Sequence, residues 1–167
     1  MKKYRYWIFP FSVMAIIFYS SHQPYQEQDI KPFLGEWMDL SFLIPALDHI
    51  SFTYHNSEVS IAALGIHGFI EFFIRKGAHV SIYCLLMIAF YVALSKSDRR
   101  SYWLPFCLTV FYAITDEWHQ SLTPNRTPYV GDVGLDSVGA SIAVILIMAS
   151  RVIKKNKRIK RRKGTDR

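Results

Sequence analysis

At 167 residues, with 51% hydrophobic and 16% aromatic side chains, this chain has room for one domain and is more apolar than a small soluble protein. Its net charge of +7 is confined to one end: residues 151–167 carry ten Lys/Arg against one acid, whereas residues 1–150 carry ten against twelve. That split argues against a basic, nucleic-acid-binding body, and Cys84 and Cys107, each inside an apolar run, imply no disulfide framework.

The first apolar run spans residues 4–21 behind Lys2, Lys3 and Arg5. It reads as an uncleaved membrane span and not a signal peptide, because the polar, bulky Ser20-Ser21-His22-Gln23 offers no small-x-small cleavage site. Pro10 sits within it and is tolerated there, as a kink. Residues 22–76 form a long outer loop with Pro24, Pro32 and Pro45, and Lys31 as its one basic residue before Arg75. Its apolar clusters, Phe33-Leu34, Trp37-Met38 and Phe42-Leu43-Ile44, suit either an interfacial amphipathic helical segment or a loop packed over the spans. A second such segment, Val59 to Ile74, leads into the next span.

Residues 77–94 are the second span, and Lys96, Arg99 and Arg100 make a basic turn before a third at 102–120. A short loop, 121–131, precedes a fourth span at 132–150, where Gly134, Gly139, Ala140 and Ala143 permit close helix packing. The expected architecture is an all-α membrane protein with four transmembrane helices. Residues 1–150 make up its membrane domain and residues 151–167 a basic tail. Sixteen Lys/Arg fall on the side of the termini and the 96–101 turn, against four on the other. That bias places both termini in the cytoplasm and the 22–76 loop outside.

Polar side chains gather near the outer ends of these spans. Asp116-Glu117-Trp118-His119-Gln120 closes a run of fourteen uncharged residues, and Asp116, His119 and Gln120 share a helical face. Counting along each helix from its cytoplasmic end, Asp116, His79 and Asp136 all lie roughly 21–22 Å up, below the outer edge of a hydrocarbon core about 30 Å thick. Lys76, His79 and Tyr83 form one stripe, and Asp132 and Asp136 another. Unpaired burial would cost several kcal/mol per group, so Arg75, Lys76 and Arg126 are expected to meet Asp116, Glu117, Asp132 and Asp136.

These residues carry a resemblance. Arg75-Lys76-Gly77-Ala78-His79 with Tyr83, Asp116-Glu117-x-His119-Gln120, Pro124-Asn125-Arg126, and Asp132 with Asp136-Ser137-x-Gly139 are similar to the pattern of the VanZ-like family. Ser20-Ser21-His22-Gln23-Pro24 resembles that family's serine-rich turn after the first span, and the match extends from about residue 10 to 150. The sequence departs from the pattern at Asn125, where glycine is expected. The resemblance implies a multi-pass protein of the bacterial cytoplasmic membrane, with a namesake linked to resistance to the glycopeptide teicoplanin. It implies no particular reaction.

Three readings of the polar layer remain open. In the first, Arg75, Lys76 and Arg126 engage phosphate or carboxylate on a polar head group. Tyr83, Asp116, Glu117, His119, Gln120 and Asp132 complete that site, and the ligand is a lipid-linked cell-wall precursor or a glycopeptide that targets it. In the second, His79, Asp116, His119 and Asp136 serve a membrane-embedded hydrolase or transferase, by acid–base chemistry or by holding a divalent metal. Asp-Glu-x-His lacks the His-Glu-x-x-His spacing of helix-borne zinc sites, and the sequence names no cofactor. In the third, the charges only hold the helices in register. Ion transport finds no ladder of polar groups through the inner half. The tail, with nine basic residues in Arg151–Lys163, is expected to lie on anionic lipid and not on nucleic acid. A chain truncated after Lys155 is therefore expected to insert and fold, which fractionation and a protease-protection assay would check.

Overall fold

The computed structural model describes residues 4–95, 101–124, 126 and 128–165. Lys2 and Lys3, the basic turn at Lys96, Arg99 and Arg100, and the Asn125 position lie outside them. Four helices pack together: α1 (Ile8–His22), α4 (Ile61–Ser95), α5 (Trp103–Gln120) and α6 (Val130–Thr165). Between α1 and α4 come two short helices, α2 (Lys31–Trp37) and α3 (Ile44–Leu47), and a hairpin of β1 (Phe52–Tyr54) and β2 (Ser57–Val59).

Proline placement fits helix chemistry. Pro10 and Pro105 fall in the first turns of α1 and α5, where the backbone N–H has no intrahelical partner to lose. Pro10 is thus accommodated at the start of α1, and a single 3-10 turn (Tyr4–Trp7) leads into the helix just before it. α4 begins sixteen residues before the expected second span and is broken once, at Gly65, whose φ of 68° is costly for any residue with a Cβ. The helix runs through Arg75 and Lys76 because both charges find partners within the bundle. α6 continues into the basic tail as far as Thr165.

The outer segment is not wholly helical. Phe52 pairs with Val59 and Tyr54 with Ser57, around a two-residue turn in which His55 and Asn56 both have positive φ (48° and 59°). A type I′ turn requires this of both central residues, and asparagine tolerates it well.

α4 is the central element: it packs against α6 most extensively, and also against α1 and α5. One core cluster joins α1, α4 and α5 through Val13, Ile17, Tyr83, Leu86, Phe90 and Ala113. A second joins α4 to α6 through Met87, Ala140, Ala143 and Ile147. α4 and α6 approach closely at Gly139, where an added Cβ would run into the backbone carbonyl of Val80. At the far end of this seam the Arg151 guanidinium lies over the rings of Tyr91 (5.1 Å) and Tyr102 (4.6 Å) and donates to both hydroxyls.

The bundle is apolar outside and partly polar inside. Phe9, Phe11, Ile16 and Phe18 on α1, Phe111 and Ile114 on α5, and Ile145 and Leu146 on α6 are exposed, whereas Glu71, Asp116, Glu117, Gln120 and Asp136 are buried. That inversion suits a lipid surround. Among the described residues two helices, Ile61–Ser95 and Val130–Lys157, are long and apolar enough to cross a bilayer. Of the four expected spans, these contain the second and fourth. α1 has 15 residues and α5 has 18, with two acids near its end.

Gly139→Val is expected to destabilise the chain by about 1–3 kcal/mol, the usual cost of overpacking a close contact. Gly134→Ala, where an added Cβ meets nothing within 4 Å, should be neutral. Thermal unfolding of both variants in detergent checks the contrast.

Candidate functional site

His79 and Tyr83 stand one turn apart on the same face of α4 and reach two different helices. His79 Nδ1 lies 3.2 Å from Asp136 Oδ1 on α6, and Tyr83 Oη donates to Asp116 Oδ2 on α5 at 3.1 Å. Both carboxylates are almost wholly buried, and Tyr83 is 0% exposed. Gln120, the next turn of α5, donates through Nε2 to Asp116 Oδ2 at 3.0 Å and approaches Ser21 Oγ at 3.5 Å. Asp116 is therefore held by neutral donors and not by the arginines that charge pairing led one to expect.

His119 is not part of this group. Its ring leaves the Asp116–Gln120 side of α5 and stacks against Phe18 (4.4 Å between centroids) and His22 (5.8 Å) on α1. A turn is 3.6 residues, so i+3 and i+4 diverge enough for a bulky neighbour to take one of them. No group of three or more His, Cys, Asp or Glu suited to hold a metal exists among the described residues. The candidate ligands His79, Asp116, His119 and Asp136 thus do not come together as one set.

Nearer the outer end, the three cations part company. Lys76 Nζ meets Asp132 Oδ1 at 2.5 Å and lies over the Tyr54 ring at 4.5 Å. Tyr54 also donates its hydroxyl to Asp132. Burial, and then the Asp132 carboxylate, push the Tyr54 phenol well above its usual range, which keeps it a donor. Arg75 finds its acid on its own helix: its Nε pairs with Glu71 Oε1, one turn back on α4, at 3.0 Å, and its Nη2 donates to the Gln28 carbonyl at 2.7 Å, in place of the pairing expected with Asp116, Glu117, Asp132 or Asp136. Glu117 accepts from the backbone N–H of Tyr129 and so anchors the loop before α6.

Arg126 is different again. Its Nε donates to the Gln23 carbonyl at 3.2 Å and its Nη1 to Gln120 Oε1 at 3.5 Å. Its Nη2 donates to the Ser20 carbonyl at 3.1 Å and to Gln28 Oε1 at 2.7 Å. Among the described residues every acceptor is neutral. Part of that work is capping, since Ser20 belongs to the last turn of α1, whose carbonyls lack helical partners. Burial, and then the nearby Arg75 charge, pull the Arg126 guanidinium below the usual arginine range.

Gln28 was not foreseen, and neither were Glu71 and Tyr54. Gln28 lies in a 3-10 turn of the outer segment (Tyr25–Gln28) and touches both guanidiniums while donating to the Ser20 carbonyl at 2.5 Å. A lone glutamine in a loop carries no signal that would mark it. Glu71 could have been found, because Glu71 and Arg75 stand at i, i+4 in a stretch that the sequence also allows as helix.

These side chains border two cavities. One, about 720 Å³, is lined by apolar residues of α1 and α4 and ends at Ser20, Gln23, Gln28, Arg75 and Arg126. His79, Tyr83, Asp116 and Gln120 also line it. The other, about 360 Å³, lies under the hairpin among Tyr54, His55, Tyr129, Lys76 and Asp132. Arg75, His79, Gln120 and Arg126 border both.

A family model described as VanZ/LLP1 matches residues 6–153 of the chain. No curated protein and no solved structure matches it.

Removing Lys76 alone, as Lys76→Met, leaves Asp132 with the Tyr54 hydroxyl but no countercharge and is expected to cost about 3 kcal/mol of stability. The double variant Lys76→Met/Asp132→Leu should lose clearly less than the sum of the single losses. A double-mutant cycle read by thermal unfolding measures that coupling.

Proposed function

Because the chain belongs to the VanZ/LLP1 family, we propose that it binds a polar or anionic head group in the cavity bordered by Arg75 and Arg126. It is a helical membrane protein of a family linked to glycopeptide resistance. The finer reading is a four-span protein of the bacterial cytoplasmic membrane with both termini cytoplasmic, which the Lys/Arg bias favours. The site then opens on the outer face, where a lipid-linked cell-wall precursor or a glycopeptide is within reach. Residues 151–163 rest on anionic lipid at the inner face.

One observation carries this proposal. A half-buried arginine with only neutral acceptors borders a cavity large enough for a head group, beside a second arginine. An anion placed there gains charge-assisted hydrogen bonds that water would otherwise supply. Lys76 and Asp132 neutralise each other and frame the smaller cavity. Tyr83, Asp116 and Gln120 line the larger cavity and offer polar groups to a hydroxyl or amide, whereas Asp136 acts through His79. Glu117 positions the Tyr129 loop, and His119 holds α1 to α5.

The His79–Asp136 pair favours a second reading, a hydrolase or transferase. A carboxylate on Nδ1 orients an imidazole and raises the basicity of its other nitrogen, and His79 faces the cavity. Failure of the purified chain to release any product from phosphate-headed lipids would end that reading.

Arg126→Ala and His79→Ala, expressed at the parental membrane level, are each expected to raise glycopeptide susceptibility in cells that the parent chain protects. Loss of a hydrogen bond to a charged group is worth about 1.5–3 kcal/mol, or roughly tenfold or more in affinity. Unchanged susceptibility in both variants would remove the cavity from the mechanism.

A further inference from the structure

The larger cavity is amphipathic along its length. At one end it carries Arg75, Arg126 and Gln28, and toward the other it is walled by Ile16 of α1 and by Ile82 and Leu85 of α4. The apolar wall is not sealed: Ile16 is 57% exposed and Leu85 38% exposed, and Ser81 between them in depth is exposed too. These exposed residues give the cavity an opening on the flank of the bundle between α1 and α4, within the stretches (4–21 and 77–94) expected to lie in the bilayer. A soluble ligand has no use for such an opening. A lipid chain does.

At the polar end, two guanidiniums converge on one residue. Arg75 Nη2 takes the Gln28 carbonyl and Arg126 Nη2 takes Gln28 Oε1, each at 2.7 Å. Two like charges bridged by a neutral amide repel one another unless an anion lies between or beside them. Glu71 offsets Arg75. Among the described residues no carboxylate forms an ion pair with Arg126. A phosphate group, with several acceptor oxygens and one or two negative charges, supplies a countercharge in direct contact, where Asp116 and Glu117 act on Arg126 only through space; it can take the remaining N–H of Arg126.

We infer that the occupant is a bilayer lipid with a phosphate-containing head. Its phosphate sits at Arg75 and Arg126, its hydrocarbon chain leaves through the α1–α4 opening, and any further polar part of the head enters the aromatic chamber under the hairpin. This deepens the head-group proposal above and rests on it. It assigns the site to a membrane lipid and not to a soluble glycopeptide, so protection from glycopeptides would act through that lipid. Tyr54, His55 and Tyr129 line the outer chamber with ring faces and two hydroxyls, the chemistry suited to a sugar or another hydroxylated group.

The test uses the full chain in a neutral detergent and three probes: dioctanoyl phosphatidic acid, dioctanoylglycerol and inorganic phosphate. Binding is read by native mass spectrometry and by ligand-dependent shifts in thermal unfolding. Phosphatidic acid is expected to bind at least tenfold more tightly than either of the other two, which lack the charge or the chain. Arg126→Gln should abolish that preference over dioctanoylglycerol. Ser81→Trp should weaken phosphatidic acid at least tenfold without altering the ligand-free unfolding temperature, because its side chain lies about 9 Å down the helix from Arg75 on an exposed position. Arg126 also ties residues 20, 23 and 28 together, so Ser81→Trp decides the matter if Arg126→Gln fails to fold. Equal binding of dioctanoylglycerol would leave only an apolar crevice, and equal binding of inorganic phosphate only a free-anion site. Either result, no binding of phosphatidic acid, or its undiminished binding to Ser81→Trp, overturns the inference. If glycopeptide susceptibility still depends on Arg126 while phosphatidic acid fails to bind, this inference falls and the head-group proposal stands. Tight phosphatidic acid binding with unmoved susceptibility supports the lipid site and removes the glycopeptide link.

Discussion

Carboxylates buried between apolar helices must be met by donors, and α4 meets two of them within a single turn. His79 holds Asp136 of α6 and Tyr83 holds Asp116 of α5, so the rotation and depth of three helices are set together. Where water is absent the penalty for an unmet carboxylate is several kcal/mol, more than any one packing contact contributes. The close α4–α6 approach at Gly139 follows the same logic from the apolar side, since it lets the two backbones come near enough for His79 to reach Asp136. At the opposite end Arg151, between Tyr91 and Tyr102, closes the seam with a cation that needs no carboxylate.

Above that layer the three cations are held in three different ways. Lys76 is spent on Asp132 and the Tyr54 ring, and Arg75 is offset by Glu71. Arg126 is left with carbonyls and amides. Neutral acceptors orient a guanidinium without pairing its charge, and Asp116 and Glu117 act on Arg126 only through space. The outer segment supplies those acceptors: Gln28 folds back over both arginines, and the carbonyls at the end of α1 do the rest. Thus the segment between the first and second long elements forms part of the cavity wall. The hairpin that follows it brings Tyr54 to Asp132 and encloses the second chamber.

Much of the site's membership could be read from spacing. Lys76, His79 and Tyr83 on one stripe, and Asp132 with Asp136 on another, are consequences of helical periodicity, and the partners Lys76–Asp132 and His79–Asp136 follow once those stripes face each other. Asp116 with Gln120 is of the same kind. His119 belongs to the same turn of α5 by count, yet Phe18 and His22 of α1 draw it aside. The decisive factor is stacking area on a neighbouring helix, which no spacing rule reports. Arg75 shows a related failure. The acid it pairs with sits on its own helix, in the segment expected to lead into the span at 77–94.

What the sequence by itself determined is the helical, membrane-suited character of the chain, the existence of its main helices, and the small-residue seam on α6. These depend on local composition and periodicity, and both are written residue by residue. Only the tertiary structure decided which cation pairs with which acid, that a loop glutamine joins two arginines, and that the outer segment turns through a hairpin at His55-Asn56. Those outcomes depend on which surfaces meet across forty to a hundred residues of chain. Short-range patterns carry no record of that, because a polar side chain takes whichever partner the packing of the apolar faces brings within reach.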